Sequence, residues 1–534
     1  MREFIKVLLV FFPIIISGLF FEIFSNGFSI YNLFNLIENM LFATVLLLPL
    51  FFLKLKYIRL YLLIAYLIFA IIIVLESAFY CIFKANFSSS VIFVILDANF
   101  DEANEFVSFY LDKKIIILII ASIVITIYSL IKLSKLHFNF FESNKKNRIR
   151  AIILLVGIVL FLKLSTVIVY NLPYLALKSS LEYFKDSKEL NYYRENKIGN
   201  FQNVSIPDLS EEEIYVIVIG ESTTKNHMGL YGYYRETTPE LSEINNELLI
   251  YDNVISPHTY TTASLTKALT LGNYENPKMR YQGSLIQLLN KAKFTTYWIS
   301  NQKPVGAFDS QISSIGLGAS TTKFLNIKNP DEKTNFDDIL LEELNDILLV
   351  SEPKKIIFLH LLGTHMKYEN RYPESFNYFT DSPKKSFEGD EVASFVNAYD
   401  NAVLYNDYIL SVIIKSVKKI DKKSAVIYFS DHGEEVYNEI DFVGHSADQI
   451  ITKNVYEIPF FIWVSDSFIF NNDFIYSRNR KYMSDDIFHS IADLLEIKTR
   501  EVDSSRSIFS KFFNERKRVI QKSIDYDSLY SVSK

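Results

Sequence analysis

Four short segments of this 534-residue chain concentrate side chains able to do chemistry. An apolar run, Ile214–Gly220 (IYVIVIG), ends in Glu221-Ser222. Another, Ala425–Ser430 (AVIYFS), ends in Asp431-His432-Gly433-Glu434-Glu435. A third, Ile356–Leu361 (IIFLHL), leads into Gly363-Thr364-His365, and the fourth segment is Ser256-Pro257-His258-Thr259-Tyr260-Thr261. Six of the eight histidines lie between His227 and His445. A carboxylate, an Asp-His pair and further imidazoles make a mixed oxygen and nitrogen donor set. Such a set suits Zn²⁺ better than Mg²⁺ or Ca²⁺, which prefer oxygen alone, with Mn²⁺ as the alternative. Singly, each segment has a plainer explanation: a Glu after a strand neighbours a helix start, and Asp-His-Gly makes a turn. Their joint position at the ends of separate apolar runs points to a site.

The elements that must position these residues follow from the pattern around them. Ile214–Gly220, Thr295–Ser300, Ile356–Leu361, Ala425–Ser430 and Pro459–Val464 read as buried strands. Helical patterns such as 336–349 and 392–417 separate them. Nearly continuous apolar strands alternating with helices predict an α/β domain with a mainly parallel sheet, over 213–534. In such sheets ligands gather at the carboxyl ends of the strands, where the polar segments sit.

The residues before 171 are of another kind. The chain is 49% hydrophobic and 15% aromatic, yet 22% charged, which fits a membrane part joined to a soluble one. Five apolar runs, at 4–24, 33–53, 58–80, 115–131 and 149–169, each approach the ~20 residues that span hydrocarbon, so residues 1–170 are expected to form five transmembrane helices. The first lacks a small-residue cleavage site and is expected to stay as an anchor. Lys54, Lys56 and Arg59 fill one loop, and Lys132, Lys135, Lys145, Lys146, Arg148 and Arg150 another. By the positive-inside rule those loops are cytoplasmic, and everything after residue 170 lies outside, in the periplasm of a bacterium. Residues 171–212 read as an amphipathic linker on the membrane surface. Glu38, a carboxylate inside the second run, is a functional suspect by position. The single cysteine, Cys81, excludes an internal disulfide. Residues 1–170 carry 15 Lys and Arg against 10 Asp and Glu, and the remainder 40 against 51, an acidic balance that argues against nucleic acid as a partner.

The motifs together resemble the phosphoethanolamine transferases of the alkaline-phosphatase/sulfatase superfamily, over nearly the whole length. Gly220-Glu221-Ser222, Leu230-Tyr231-Gly232-Tyr233 and Arg235-Glu236-Thr237-Thr238-Pro239 resemble the family's metal-binding Glu and the signature after it. Ser256–Thr261 resembles its nucleophile loop, with Thr261 at the nucleophile position. Gly363-Thr364-His365 with Arg371-Tyr372-Pro373, Asn397-Ala398-Tyr399-Asp400-Asn401 and Ser430–Glu434 complete the set.

The resemblance implies an inner-membrane, multi-pass, monomeric enzyme. It would move phosphoethanolamine from phosphatidylethanolamine to lipid A or a core sugar of the envelope, through a phospho-threonine. Glu221, Thr261, Asp431 and His432 would hold zinc, while His365 and His445 would bind phosphate or a second metal and supply a proton. Thr259 and Thr262 are rival nucleophiles, but 262 onward reads as a helix whose N-terminus favours a phosphate beside Thr261. Ser90 and Asp97 lie where relatives contact the donor head group, and Asn301 and Lys303 could touch substrate phosphate. A glycerol-phosphate-type transferase and a non-catalytic envelope scaffold are the alternatives.

Overall fold

The computed structural model describes residues 2–84, 86–98, 100–136, 145–190, 192–205, 210–302, 311–326, 335–384, 386–447, 449–521 and 523–531. They divide into two compact units, one of Met1–Phe93 with Phe106–Glu182, the other of Val94–Glu105 with Tyr183–Lys534.

In the first unit, four helical stretches among the described residues are long and apolar enough to cross a membrane. They are Glu3–Asn26, Asn32–Phe51, Leu55–Phe83 and Lys113–Ser134, with mean hydropathies of 2.5, 1.8, 2.8 and 2.6. Aromatic side chains key the first against the third: the Phe11 ring lies 5.0 Å from Tyr66 and 5.3 Å from Phe69. The fifth expected run differs. A helix covers Lys145–Leu164, with four basic residues in its first six positions and Lys163 at its end. It stops short of Val169 because Thr166 adopts φ 61°, and Val167–Tyr170 forms a separate 3-10 turn. Between the third and fourth apolar helices the chain forms two shorter ones, Ser89–Asp97 and Phe100–Tyr110.

The second unit is built on a seven-stranded sheet. In chain order its strands are β1 (Glu213–Gly220), β2 (Leu248–Ile250), β3 (Thr295–Ser300), β4 (Thr321–Phe324), β5 (Lys354–His360), β6 (Lys423–Ser430) and β7 (Phe460–Val464). Their order across the sheet is β2-β7-β6-β1-β5-β3-β4. The five strands from β6 to β4 are parallel, while β7 runs antiparallel to β6 and β2 antiparallel to β7. All eight residues of β1 are buried, as a strand covered on both faces must be. Tyr215, Ile217 and Ile219 enter one continuous core with Trp298, Phe358, Ile427 and Phe460. The helices expected at 336–349 and 392–417 are Ile339–Leu349 and Asp390–Lys418.

Register decides what meets. Ile219 of β1 pairs with His360 of β5, and Gly220 with Ser430 of β6. The three central strands therefore end level, and Glu221, the 361–365 turn and Asp431-His432 emerge side by side.

Candidate active site

Glu221, Asp431 and His432 are 2%, 1% and 0% exposed, and one donor atom from each lies within 4.8 Å of the others. Backbone geometry forces the convergence. Asp431 Oδ1 accepts from the backbone N–H groups of Ser222 (3.0 Å) and His432 (2.7 Å), which turns Oδ2 towards the cluster. The His432 Nδ1–H donates to the Gly433 carbonyl at 2.8 Å, so Nε2 is the free ligand atom. It lies 3.3 Å from Asp431 Oδ2 and 3.4 Å from Glu221 Oε1. The Glu221 carboxylate also accepts from Ser222 Oγ at 2.9 Å.

Ser222 reaches this arrangement with φ 55°, a strained value for a residue with a side chain. It is held there by its N–H on Asp431, and its carbonyl accepts from Tyr399 Oη (2.8 Å) and Thr364 Oγ1 (2.9 Å). Beneath, the N–H groups of Leu362 and Gly363 donate to Asp337 at 2.8 and 2.9 Å, fixing the 361–365 turn. At Gly363 (φ 57°) a Cβ would sit 2.7 Å from the Glu221 carbonyl oxygen and 2.8 Å from its nitrogen. Gly363→Ala is therefore expected to cost more than about 1 kcal/mol of stability and to displace Glu221. Thermal unfolding and bound-metal analysis of that variant check both effects.

The donors fit a cation. Asp431 Oδ2 and His432 Nε2 are buried with no hydrogen-bond partner among the described residues. Burial opposes charge on Glu221, but the close approach and charge of His432 outweigh it and hold its carboxyl below the usual range. Burial and then the Glu221 charge push Asp431 up. Burial also disfavours a charged His432, yet Asp431 and Glu221 override it and raise the imidazole to about 10. Two buried carboxylates here demand positive charge, and a divalent ion supplies it more fully than one proton.

Thr261 opens the helix Thr261–Ala268, preceded by an extended Tyr260 (φ −153°, ψ 148°). Its Oγ1 lies 3.3 and 3.2 Å from the two Glu221 carboxylate oxygens. Thr259 instead donates its hydroxyl to the Ser446 carbonyl at 2.6 Å. His445 approaches from the other side, its ring centroid 4.3 Å from that of His432 and 6.4 Å from that of His365. Burial pushes His365 down to about 3, so it is neutral near pH 7.

Glu434, Gln302 and Arg371, to which no role was assigned from sequence, complete the site. Glu434 Oε2 takes the Nδ1–H of His445 at 2.7 Å, while Oε1 accepts from Tyr368 Oη at 2.7 Å. His445 thus presents Nε2 with its ring oriented by a carboxylate that is itself fixed. Gln302 Nε2 donates to the Leu361 carbonyl at 2.9 Å and approaches Glu221 Oε2 at 3.5 Å. Arg371, 3% exposed, donates from Nε to the His365 carbonyl at 3.1 Å and from Nη2 to Glu105 and the Met366 carbonyl. Asn301 is buried, and its Nδ2 donates to Asp337 Oδ1 (2.9 Å) and the Asn335 carbonyl (3.0 Å). Ser90 and Asp97 fall in the helix Ser89–Asp97, but their side chains lie outside the described residues, as does Lys303 altogether.

Residues 213–497 match the Sulfatase family. Over 546 aligned residues, 95% of this chain and 92% of the relative, the sequence is 30% identical to "Phosphoethanolamine transferase EptC" of Escherichia coli strain K12. The chain belongs to the phosphoethanolamine transferases of the sulfatase family. Solved structures of this transferase family agree. The periplasmic domain of E. coli EptC, crystallised in complex with Zn, is 32% identical and superposes with a TM-score of 0.59, covering 63% of this chain and 98% of that one. The integral membrane lipooligosaccharide phosphoethanolamine transferase A of Neisseria meningitidis is 20% identical and shares the fold with a TM-score of 0.68, over 94% of this chain and 98% of that one.

Proposed function

We propose that this transferase takes phosphoethanolamine from phosphatidylethanolamine and delivers it to lipid A or a core sugar of the bacterial envelope. The observation that carries the mechanism is Thr261 Oγ1 at a helix N-terminus, 3.2 Å from a carboxylate of the Glu221–Asp431–His432 cluster. A zinc ion bound by Glu221, Asp431 and His432 would lower the pKa of the Thr261 hydroxyl and polarise a phosphoryl oxygen. Thr261 Oγ, its hydroxyl proton released to solvent, attacks the phosphorus, the phosphorus–oxygen bond to diacylglycerol breaks, and the departing oxygen takes a proton. His445, oriented by Glu434, is the group placed to give it. An acceptor hydroxyl then gives its proton back to His445 and attacks the phospho-threonine, and Thr261 leaves and regains a proton from solvent. The N–H groups of the first helical turn and its dipole favour phosphate at Thr261 throughout.

A lipid donor has negligible concentration in free water, so the reading includes a membrane anchor. We place residues 1–170 in the inner membrane with five spans, counting Lys145–Leu164 as the fifth, 171–212 as a linker on its surface, and 213–534 in the periplasm. Basic residues in the loops at 54–59 and 132–150 support that orientation. A reporter that works only in the periplasm, fused after Lys534, should be active; activity of a cytoplasm-only reporter there would overturn the topology.

Lipid mass spectrometry tests the chemistry. Membranes containing the protein should convert phosphatidylethanolamine to diacylglycerol and gain phosphoethanolamine on lipid A or core glycan. Diacylglycerol derived from phosphatidylglycerol alone would indicate glycerol-phosphate transfer instead.

A further inference from the structure

Gln302 stands between the two residues singled out after β3, Asn301 and Lys303, yet the proposed chemistry gives it no part. It is half-buried and lies two residues beyond the end of that strand. Its backbone is fixed: the Gln302 N–H donates to Ser300 Oγ at 3.1 Å, and the Asn301 N–H to the His360 carbonyl at 2.9 Å. Asn301 turns its amide to Asp337, whereas Gln302 extends its own across the end of β5 towards β1. Since β5 lies between β3 and β1, and neighbouring strands are about 4.8 Å apart, only a long side chain makes that crossing.

The amide meets two acceptors. Gln302 Nε2 lies 2.9 Å from the Leu361 carbonyl oxygen and 3.5 Å from Glu221 Oε2, and a nitrogen with two hydrogens suits both. The shorter bond is anchored, because the buried Leu361 donates its own N–H to the Ile219 carbonyl of β1 at 3.0 Å. The longer one gives the Glu221 carboxylate a second point of attachment.

Glu221 needs such a partner. The torsion that turns a glutamate carboxylate is broad, so hydrogen bonds rather than rotamers set its plane. Oε1, the oxygen 3.4 Å from His432 Nε2, accepts from Ser222 Oγ at 2.9 Å. Among the described residues the donors that reach Oε2 are Thr261 Oγ1 at 3.2 Å and Gln302 Nε2. In the proposed reaction Thr261 gives up its hydroxyl hydrogen and takes a phosphoryl group, so it cannot steady Oε2 through the cycle. Gln302 makes and breaks no covalent bond, and its amide stays a donor throughout.

We propose that Gln302 is a positioning residue, which holds Glu221 Oε2 so that Oε1 stays turned towards His432 Nε2. The inference rests on the reading of Glu221 as a zinc ligand and not on the identity of the transferred group. Loss of a partner that orients a metal ligand lowers metal affinity about 10- to 100-fold.

Zinc affinity of the full-length protein in phosphatidylcholine nanodiscs, measured by competition with a chromophoric chelator, tests this. Gln302→Met keeps the length and loses the donor, and should weaken zinc binding about 10-fold or more. Gln302→Asn keeps the amide but is one methylene short of the crossing, and should weaken it comparably. A double-mutant cycle separates positioning of Glu221 from a general loosening of the turn after β5. In a Glu221→Ala background, Gln302→Met should change zinc affinity no further. Wild-type affinity in either Gln302 variant, or the same fold loss with and without Glu221, would overturn the proposal. Zinc binding that Glu221→Ala leaves untouched would instead remove the ligand assignment, and the proposal with it.

Discussion

Thr261→Ala is expected to abolish phosphoethanolamine transfer, by at least ~10³-fold, because loss of a nucleophile removes the covalent route altogether. The variant should fold and bind zinc almost normally. Its side chain is half-buried at the first position of a short helix, and the three other donors keep their backbone hydrogen bonds. Thr261→Ser should retain partial activity, since the hydroxyl survives and only the methyl that restricts its rotamer is lost. In the wild-type chain, peptide mapping of enzyme trapped with donor alone should place the phosphoethanolamine adduct on Thr261, and two-substrate kinetics should be ping-pong. An adduct on Thr262 would move the nucleophile by one residue, and full activity of Thr261→Ala would end the mechanism.

The second large effect concerns the cluster itself. Glu221→Ala combined with Asp431→Ala should lower zinc affinity by well over ~100-fold, the loss found when only an orienting partner of a ligand is removed. Activity should fall in parallel. Removing both carboxylates also takes away the two charges that hold His432 protonated in the metal-free protein. The metal-free variant should therefore show a His432 imidazole that titrates well below about 10, readable by NMR. Elemental analysis with full zinc in the double variant would rule out this ligand assignment.

The frame of the second unit was legible because it depends on local pattern. IYVIVIG can only be a doubly covered strand, and the run ending at Ser430 pairs with it residue for residue. Glu221, Asp431 and His432 followed directly, since each is the first or second residue beyond such a strand. β4, with the alternating and partly exposed TTKF, and the three-residue β2 carry no apolar run of useful length. The Asp337 brace and the Glu434–His445 pair depend on contacts between residues 11 to 26 apart in sequence, which spacing alone does not define. The fifth apolar run was overextended, because hydropathy does not register a left-handed Thr166. Asn301 shows the same limit: spacing places it after a strand but does not show that its Nδ2 is taken by Asp337.

The Arg371–Glu105 pair has a practical corollary for anyone who cuts this protein. Glu105 precedes the Lys113–Ser134 helix in the chain, so a water-soluble truncation starting anywhere after the last apolar helix discards it. The Arg371 guanidinium, whose Nε props the carbonyl of His365, would then lose its countercharge and meet water where Glu105 had been. Such a truncation would keep its sheet and its metal ligands yet present a loosened His365 turn. Inhibitors screened against it would be selected for a corner of the cleft that the intact enzyme does not have.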